Sequence, residues 1–389
     1  MPETKRLYYT DSYRSKMESQ VIAASDNGLR ITLAETCFYP TSGGQPNDLG
    51  TLNDVAVVDV VEDGDSITHV MASPLQAKSV QGEILWLRRY DHMQQHTGQH
   101  LLSAVFEEFF QIPTLSFRMG KDASTIELGT KELSSVQLET TTLRATELAR
   151  SNPQIAVSFE DAAKAQGLRK QSERSGILRI VEIPNIDRSA CGGTHVATLA
   201  EVLPLQICDM DKVRGNVRIS FVCGNRAIKH AQTDFKKLSN IAATLAVPQD
   251  QVEFQVAALK QALSESEKQR QRLEADAASR AGVDLYSDNM PDQRGIRRAT
   301  LKVPSIDENA RTKARAFASQ PKAVLLMHST DGVLLACSAD SGVNAGTVLK
   351  QALSKYGARG GGSPTLAQGN LPDAAMVADL MEQLQLCST

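Results

Sequence analysis

Two histidines, His96 and His100, stand four residues apart in the run HTGQHLLSAVF. Leu101, Leu102, Val105, Phe106 and Phe109 recur there at helical spacing, so both imidazoles leave one face of a helix and can share one ion. Far along the chain, CGGTH brings Cys191 and His195 with three residues between them. Two imidazoles, a thiolate and a third imidazole form, in type and number, a tetrahedral zinc quartet, one Zn2+ per chain. Donors of this softness favour zinc over magnesium or calcium. Taken singly, HxxxH also fits two histidines on a solvated helix, and CxxxH a cysteine packed in a turn. The two pairs together predict a metal site.

The bulk of the chain limits what surrounds that site. At 389 residues it exceeds one ordinary core, so two to four domains are expected. Hydrophobic residues at 41% and charged ones at 22% describe a soluble globular protein. A formal charge of -3 carries no overall nucleic-acid signature, so any RNA contact must come from local basic patches such as Arg294, Arg297 and Arg298. No run reaches the roughly twenty apolar residues of a spanning helix, and the first nineteen residues lack a signal-peptide core. Six scattered cysteines read as reduced thiols, and the expected location is cytoplasmic.

The expected fold class is α+β and multidomain. Residues 1–85 show short strand-like runs at Val21–Ala23, Leu29–Leu33, Val55–Val61 and Ile67–Val70, broken by turn signals, which predict a small β-barrel or sandwich. Residues 86–227 form an α+β domain. Its first helix runs from about Tyr90 to Phe110 and carries His92 as well, so three histidines recur at four-residue spacing. A hairpin follows around Gly120–Ala123, and a second helix over Glu132–Ser151 has Leu133, Val136, Leu143 and Leu148 for its buried side. Residues 228–289 read as a helical arm of coiled-coil type, with Val252, Val256, Leu259, Leu263, Leu273 and Ala277 as apolar positions. A plain solvated linker helix is the competing reading. Residues 290–389 turn α/β, with a strand hairpin at Ala323–Ser338, a helix at Asn344–Tyr356 and the run GARGGGSPTLAQGN. Such a run can cradle phosphate through its amides or form a flexible loop.

HTGQHLLSAVF together with SACGGTHVATLAEV resembles the editing domain of alanyl-tRNA synthetases and their free-standing relatives, the alanyl-tRNA editing proteins of the AlaX family. The resemblance selects His96, His100, Cys191 and His195 as the ligands and leaves His92 beside the site. FYPTSGGQPNDLG is similar to the family's FYPxSGGQ loop, which makes Gln45 a pocket residue. TLSFRMG matches a family stretch beside the pocket and implies that Thr114 or Ser116 reads a substrate hydroxyl, while Arg118 stands where relatives commonly carry His. The C-terminal run resembles the DHHA1 tRNA-binding motif, with Ala358 and Asn370 in place of two glycines.

The resemblance implies a long free-standing editing form without an ATP-binding aminoacylation domain. Its partner would be alanine tRNA mischarged with serine or glycine, and its reaction ester hydrolysis. Such an enzyme has a physical reason to exist, because one missing methyl gives a synthetase only about 1–3 kcal/mol of discrimination and an added hydroxyl is poorly rejected. Two rivals accompany this reading: a zinc-stabilised tRNA-binding module without turnover, and an editing enzyme of threonyl-type specificity, whose domains share the HxxxH and CxxxH pairs.

Overall fold

A computed structural model describes residues 3–386 except 172, 174 and 372. The chain divides into two compact units, Met1–Ile241 and Ala242–Thr389.

Six antiparallel strands open the first unit and close into a barrel in the order Lys16–Ser25, Arg30–Leu33, Ser66–Met71, Val55–Asp63, Gly50–Leu52 and Ser79–Ile84. Ile31, Leu33, Leu52, Val57, Val60, Ile67, Val80 and Ile84 fill its interior. Strict alternation would turn Val60 outward if Val57 points inward. A register shift between Val57 and Asp59 absorbs one residue, so both valines are buried and Val58 faces out. Four of these strands coincide with the apolar runs of the sequence. Gly50–Leu52 and Ser79–Ile84 carry too few apolar residues to announce themselves, yet they pair with each other and complete the ring.

After the barrel, helix α1 (Trp86–Phe110) runs through the middle of the unit, starting four residues before the expected Tyr90. It is no half-exposed amphipathic helix, because every residue from His92 to Phe106 is buried. Leu101, Leu102, Val105 and Phe106 pack on a four-stranded antiparallel sheet made of Leu205–Val213, Asn216–Cys223, Ser124–Leu128 and Thr114–Met119. At Gly98 the helix crosses so close to the sheet that a Cβ would lie 2.2 Å from the Cys223 sulfur. A separate three-stranded sheet, Ala156–Asp161, Ile177–Ile183 and Asp187–Ala190, carries the approach to the second ligand pair.

Helix α2 (Ser135–Arg150) corrects one expectation. Val136 and Leu143 are 68% and 61% exposed, and the buried stripe is Thr141, Ala145 and Ala149, flanked by Leu138 and Leu148. Small residues on that stripe let α2 lie close against its neighbours, which outweighs the burial of two larger side chains. Leu133 is buried, but it lies ahead of the helix. Helix α3 (Asn225–Leu245) follows the sheet.

In the second unit, helix α4 (Val252–Asp288) leads to a five-stranded sheet of order Arg297–Lys302, Ala323–His328, Gly332–Cys337, Leu366–Asn370 and Gly360–Gly362. In the runs AVLLMH and GVLLAC the residues other than the part-exposed His328 and Gly332 are apolar and buried, because both faces of the strands are covered. Leu325, Met327 and Leu334 pack against α5 (Glu308–Ala318), and Val324, Leu326 and Leu335 against α6 (Ala345–Lys355) and α7 (Ala374–Gln383). Along α4, Val256, Leu259, Leu263 and Leu273 are exposed. The glycine run forms a tight strand pair in place of a loop. A Cβ at Gly362 would meet the Leu366 carbonyl oxygen at 2.2 Å, so this pairing needs bare backbone.

Within the barrel, buried His69 has Nδ1 3.2 Å from the Ile31 carbonyl and Nε2 2.8 Å from Thr36 Oγ1. Nδ1 therefore holds the proton and Nε2 accepts from the threonine. Burial lowers its pKa to about 4, whereas an unfolded histidine titrates near ~6.5. Above about pH 6.5 both states are neutral. As pH falls from there to about 4, the unfolded chain takes up a proton that the barrel refuses, and about 3 kcal/mol of stability is lost. Equilibrium unfolding of His69→Gln should lack this component of the acid slope; a slope equal to that of the unaltered protein would remove His69 from the account.

Candidate metal centre and pocket

Helix α1 presents His96 and His100 on one face, and the loop after strand Asp187–Ala190 brings Cys191 and His195 to meet them. One ligand atom from each of the four lies within 4.8 Å of the others. Cys191 Sγ is 3.5 Å from His96 Nε2 and 3.3 Å from His195 Nε2. The second pair was separated from the first by ninety residues of sequence, and folding joins them.

Each imidazole is tied back through its other nitrogen. His96 Nδ1 lies 2.8 Å from Gln45 Oε1, His100 Nδ1 2.6 Å from Asp187 Oδ2, and His195 Nδ1 3.1 Å from Thr97 Oγ1. Gln45 Oε1 also accepts from the Thr194 amide, and its Nε2 donates to Thr194 Oγ1, which settles which end of the amide faces His96. An oxygen acceptor at Nδ1 places a proton there and turns Nε2 toward the cluster. This arrangement suits a cation.

Electrostatics point the same way. Burial opposes ionisation of Cys191, yet His96, His195 and His100 hold its thiol well below the ordinary value. Burial drives His195 down to about 3, against the pull of Cys191. Burial opposes protonation of His100, yet Asp187 and Cys191 raise its pKa to about 9, so a cation bound there would displace a proton. A thiolate among three imidazoles is the donor set a soft divalent ion requires.

The loop geometry depends on Gly193 and Arg179. A Cβ at Gly193 would lie 2.2 Å from His96 Cε1, so the second glycine of CGGTH exists to admit the ring. Arg179 Nη1 donates to the carbonyls of Cys191 (2.6 Å) and Gly193 (3.0 Å), and its Nε to the Tyr9 carbonyl (2.9 Å), which fixes the turn from behind.

A cavity of about 460 Å³ opens onto the cluster, with His96, His100 and Cys191 in its lining. Thr114 and Ser116 also line it. Thr114 Oγ1 donates to Ser103 Oγ at 2.7 Å, and Ser116 is exposed at the rim, 3.5 Å from Glu127 Oε2. Gln45 is fully buried behind His96, while Ser42 and Gly43 of its loop reach the cavity. His92 is buried one turn earlier, outside the ligand group, and burial lowers its pKa to about 3. Arg118 is exposed. Reading the sequence missed Asp187, Thr97, Thr194 and Arg179, whose spacing carries no motif.

The site and the fold define a protein class that comparison makes specific. Residues 309–387 match the DHHA1 domain. The Danio rerio alanyl-tRNA editing protein Aarsd1 is 32% identical over 239 residues, 60% of this chain and 57% of that protein. The Bos taurus counterpart is 33% identical over 210 residues, 52% and 47% of the two chains. Alanine–tRNA ligase of Methanobrevibacter smithii is 27% identical over 398 residues, 95% of this chain and 44% of the ligase. The crystal structure of the C-Ala domain from Aquifex aeolicus alanyl-tRNA synthetase matches 25% of this chain and 94% of its own, at 21% identity and a TM-score of 0.21. The chain thus spans about half the length of the curated relatives it matches, and it is similar to proteins named as alanyl-tRNA editing proteins.

Metal analysis of purified protein tests the ligand group. His100→Ala and Cys191→Ser should each lower bound metal per chain, whereas His92→Ala should leave it unchanged. Equal metal in all three variants would refute the assignment.

Proposed function

We propose that this chain is a trans-editing hydrolase that cleaves the ester joining serine, or glycine, to alanine tRNA, with one zinc ion per chain. The observation that carries the reading is the convergence of three Nε2 atoms and the Cys191 sulfur at a cavity, each imidazole backed by an oxygen acceptor. Relatives named as alanyl-tRNA editing proteins support the substrate class. A tetrahedral zinc with Zn–S and Zn–N bonds of ordinary length sets sulfur and nitrogen about 3.5 Å apart, and the separations of Cys191 Sγ from His96 and His195 Nε2, 3.5 and 3.3 Å, fit it.

When bound, zinc would polarise the ester carbonyl and acidify a water. The protein's own residues would do the rest. Gln45 acts through His96 as a positioning residue, and does not touch substrate. With its proton committed to Ser103, the Thr114 oxygen offers only lone pairs to the cavity. A serine hydroxyl can donate to it, and an alanine methyl cannot, so correctly charged tRNA gains nothing there. Ser116 at the rim contacts the less enclosed part of the substrate. The organisation into barrel, editing domain, helical arm and DHHA1 domain would let the last grip tRNA while the first two work on its 3′ end, in the cytoplasm.

Four protein ligands also suit a structural zinc, which keeps the non-catalytic tRNA-binding module as the second reading. Release of serine from seryl-tRNA(Ala), compared with alanyl-tRNA(Ala) and seryl-tRNA(Thr), decides. Zinc-dependent loss of serine from the alanine tRNA alone is expected, and Thr114→Val should lower kcat/KM for it about tenfold, equivalent to ~1.4 kcal/mol. Binding of tRNA without turnover would leave the module reading standing.

A further inference from the structure

Of the three groups behind the histidines, two are neutral and one is charged. Gln45 and Thr97 offer an amide and a hydroxyl oxygen, whereas Asp187 offers a carboxylate that is 5% exposed. Its four acceptor positions are well used. His100 Nδ1 reaches Oδ2 at 2.6 Å, Arg169 Nε donates to Oδ1 at 2.5 Å, and Ser189 Oγ lies 3.1 and 2.9 Å from the two oxygens. Arg169 Nη2 returns to Ser189 Oγ at 3.3 Å, closing a ring of contacts. The Arg169 amide also donates to the Arg188 carbonyl at 2.8 Å, so both its backbone and its side chain are held by the strand that carries Asp187.

Arg169 has a second surface. With its neighbours Lys170 and Gln171 it lines the cavity onto which His96, His100 and Cys191 open. One guanidinium therefore neutralises the carboxylate behind a ligand and walls the pocket in front of it. The charge count makes the same connection. A divalent ion, the Cys191 thiolate and the Asp187 carboxylate sum to zero, and Arg169 leaves one positive charge beside the cavity, where an anionic nucleic-acid end would arrive.

We propose that Asp187 and Arg169 form a positioning pair: Asp187 fixes His100 as a donor through Nε2, and Arg169, held by that carboxylate, sets the pocket wall against the ligand group. The proposal rests on the editing reading. A buried carboxylate behind a ligating imidazole raises its donor strength and locks its rotation, and loss of such a partner typically weakens metal binding about 10–100-fold. Arg169 is not interchangeable with lysine here, because only a planar fork satisfies Asp187 and Ser189 together.

The test uses the full chain, stripped of metal and titrated with zinc against a competing chelator, with cobalt as a spectroscopic reporter of the site. Asp187→Ala should weaken zinc binding about 10–100-fold and alter the cobalt spectrum. Asp187→Asn keeps the side-chain volume and guards against a folding failure, and it should also weaken binding because its amide nitrogen meets donors on one side. Arg169→Met should loosen zinc and raise KM for seryl-tRNA(Ala) more than it lowers kcat, and Arg169→Lys should recover zinc affinity more fully than KM. If Asp187→Asn and Arg169→Met both fold and hold zinc within twofold of the unaltered chain, the pair has no positioning role and the proposal falls. If the unaltered chain binds no zinc, the metal reading itself falls and takes the proposal with it. Zinc binding without seryl-tRNA turnover would overturn the editing reading alone, and the zinc affinities would still judge Asp187.

Discussion

One buried ion pair fixes helix α1 against the loop that supplies Gln45 to His96. Arg89 on α1 and Asp48 at the end of the SGGQ loop are both essentially inaccessible to solvent. Arg89 Nε lies 3.1 Å from each Asp48 oxygen, Nη2 contacts Oδ2 as well, and the remaining donors reach the carbonyls of Ser12 (2.8 Å) and Cys37 (2.5 Å). Asp48 Oδ2 also accepts from the Tyr39 amide at 2.7 Å. The pair welds barrel to helix two turns ahead of His96. Replacing such a pair by apolar residues can be neutral, but removing one partner strands a buried charge at a cost of about 3–5 kcal/mol. Its value lies in register. It sets where Gln45 arrives relative to His96, and a slip of one residue on α1 would turn both histidines away.

From that register follows the polarity of α1. A helix buried from His92 to Phe106 would ordinarily be apolar all round, yet this one buries Gln94, Gln95, His96, Thr97, Gln99, His100 and Ser103. Most are matched to a partner from another element, Gln95 to the backbone of Cys223, Gln94 Nε2 to the Glu201 carbonyl and Thr97 to His195, whereas Gln99 donates to Ser103 on the same helix and Gln94 Oε1 has no hydrogen-bond partner among the described residues. Leaving a buried polar group unbonded is costly, so these matched bonds hold the helix in one place and one rotation. The hydrophobic effect makes the unit compact, and this set of hydrogen bonds makes it specific.

How much of this could be read from the residues alone depends on how local the signal is. The HxxxH and CxxxH pairs are local, and the type and number of their donors pointed to a metal before any fold was known. Unbroken apolar strands such as AVLLMH were legible for the same reason. The face of α2 was not, because a stripe of Thr141, Ala145 and Ala149 has little hydrophobic contrast, and the larger Val136 and Leu143 mislead. The partners of the histidines were least legible of all. Asp187 precedes Cys191 by four residues in a strand whose direction only the three-stranded sheet fixes, and Gln45 reaches His96 across 51 positions. A residue whose role is to face another at long range leaves no periodic trace.

Burial is uneven around the four candidate ligands. His96, His100 and Cys191 line the cavity, and Cys191 is the one ligand of the four that is not buried, whereas His195 lies behind them. An incoming group therefore meets the face formed by those three, with His195 opposite. His195 is anchored by Thr97 on α1. Cys191 sits on a turn gripped from both sides: its amide donates to the Arg179 carbonyl at 3.0 Å, its own carbonyl accepts from Arg179 Nη1, and its sulfur accepts from the Gly193 amide at 3.4 Å. The thiolate is thus the ligand most open to the cavity, and bare backbone at Gly193 is what lets the turn carry it there without striking the His96 ring.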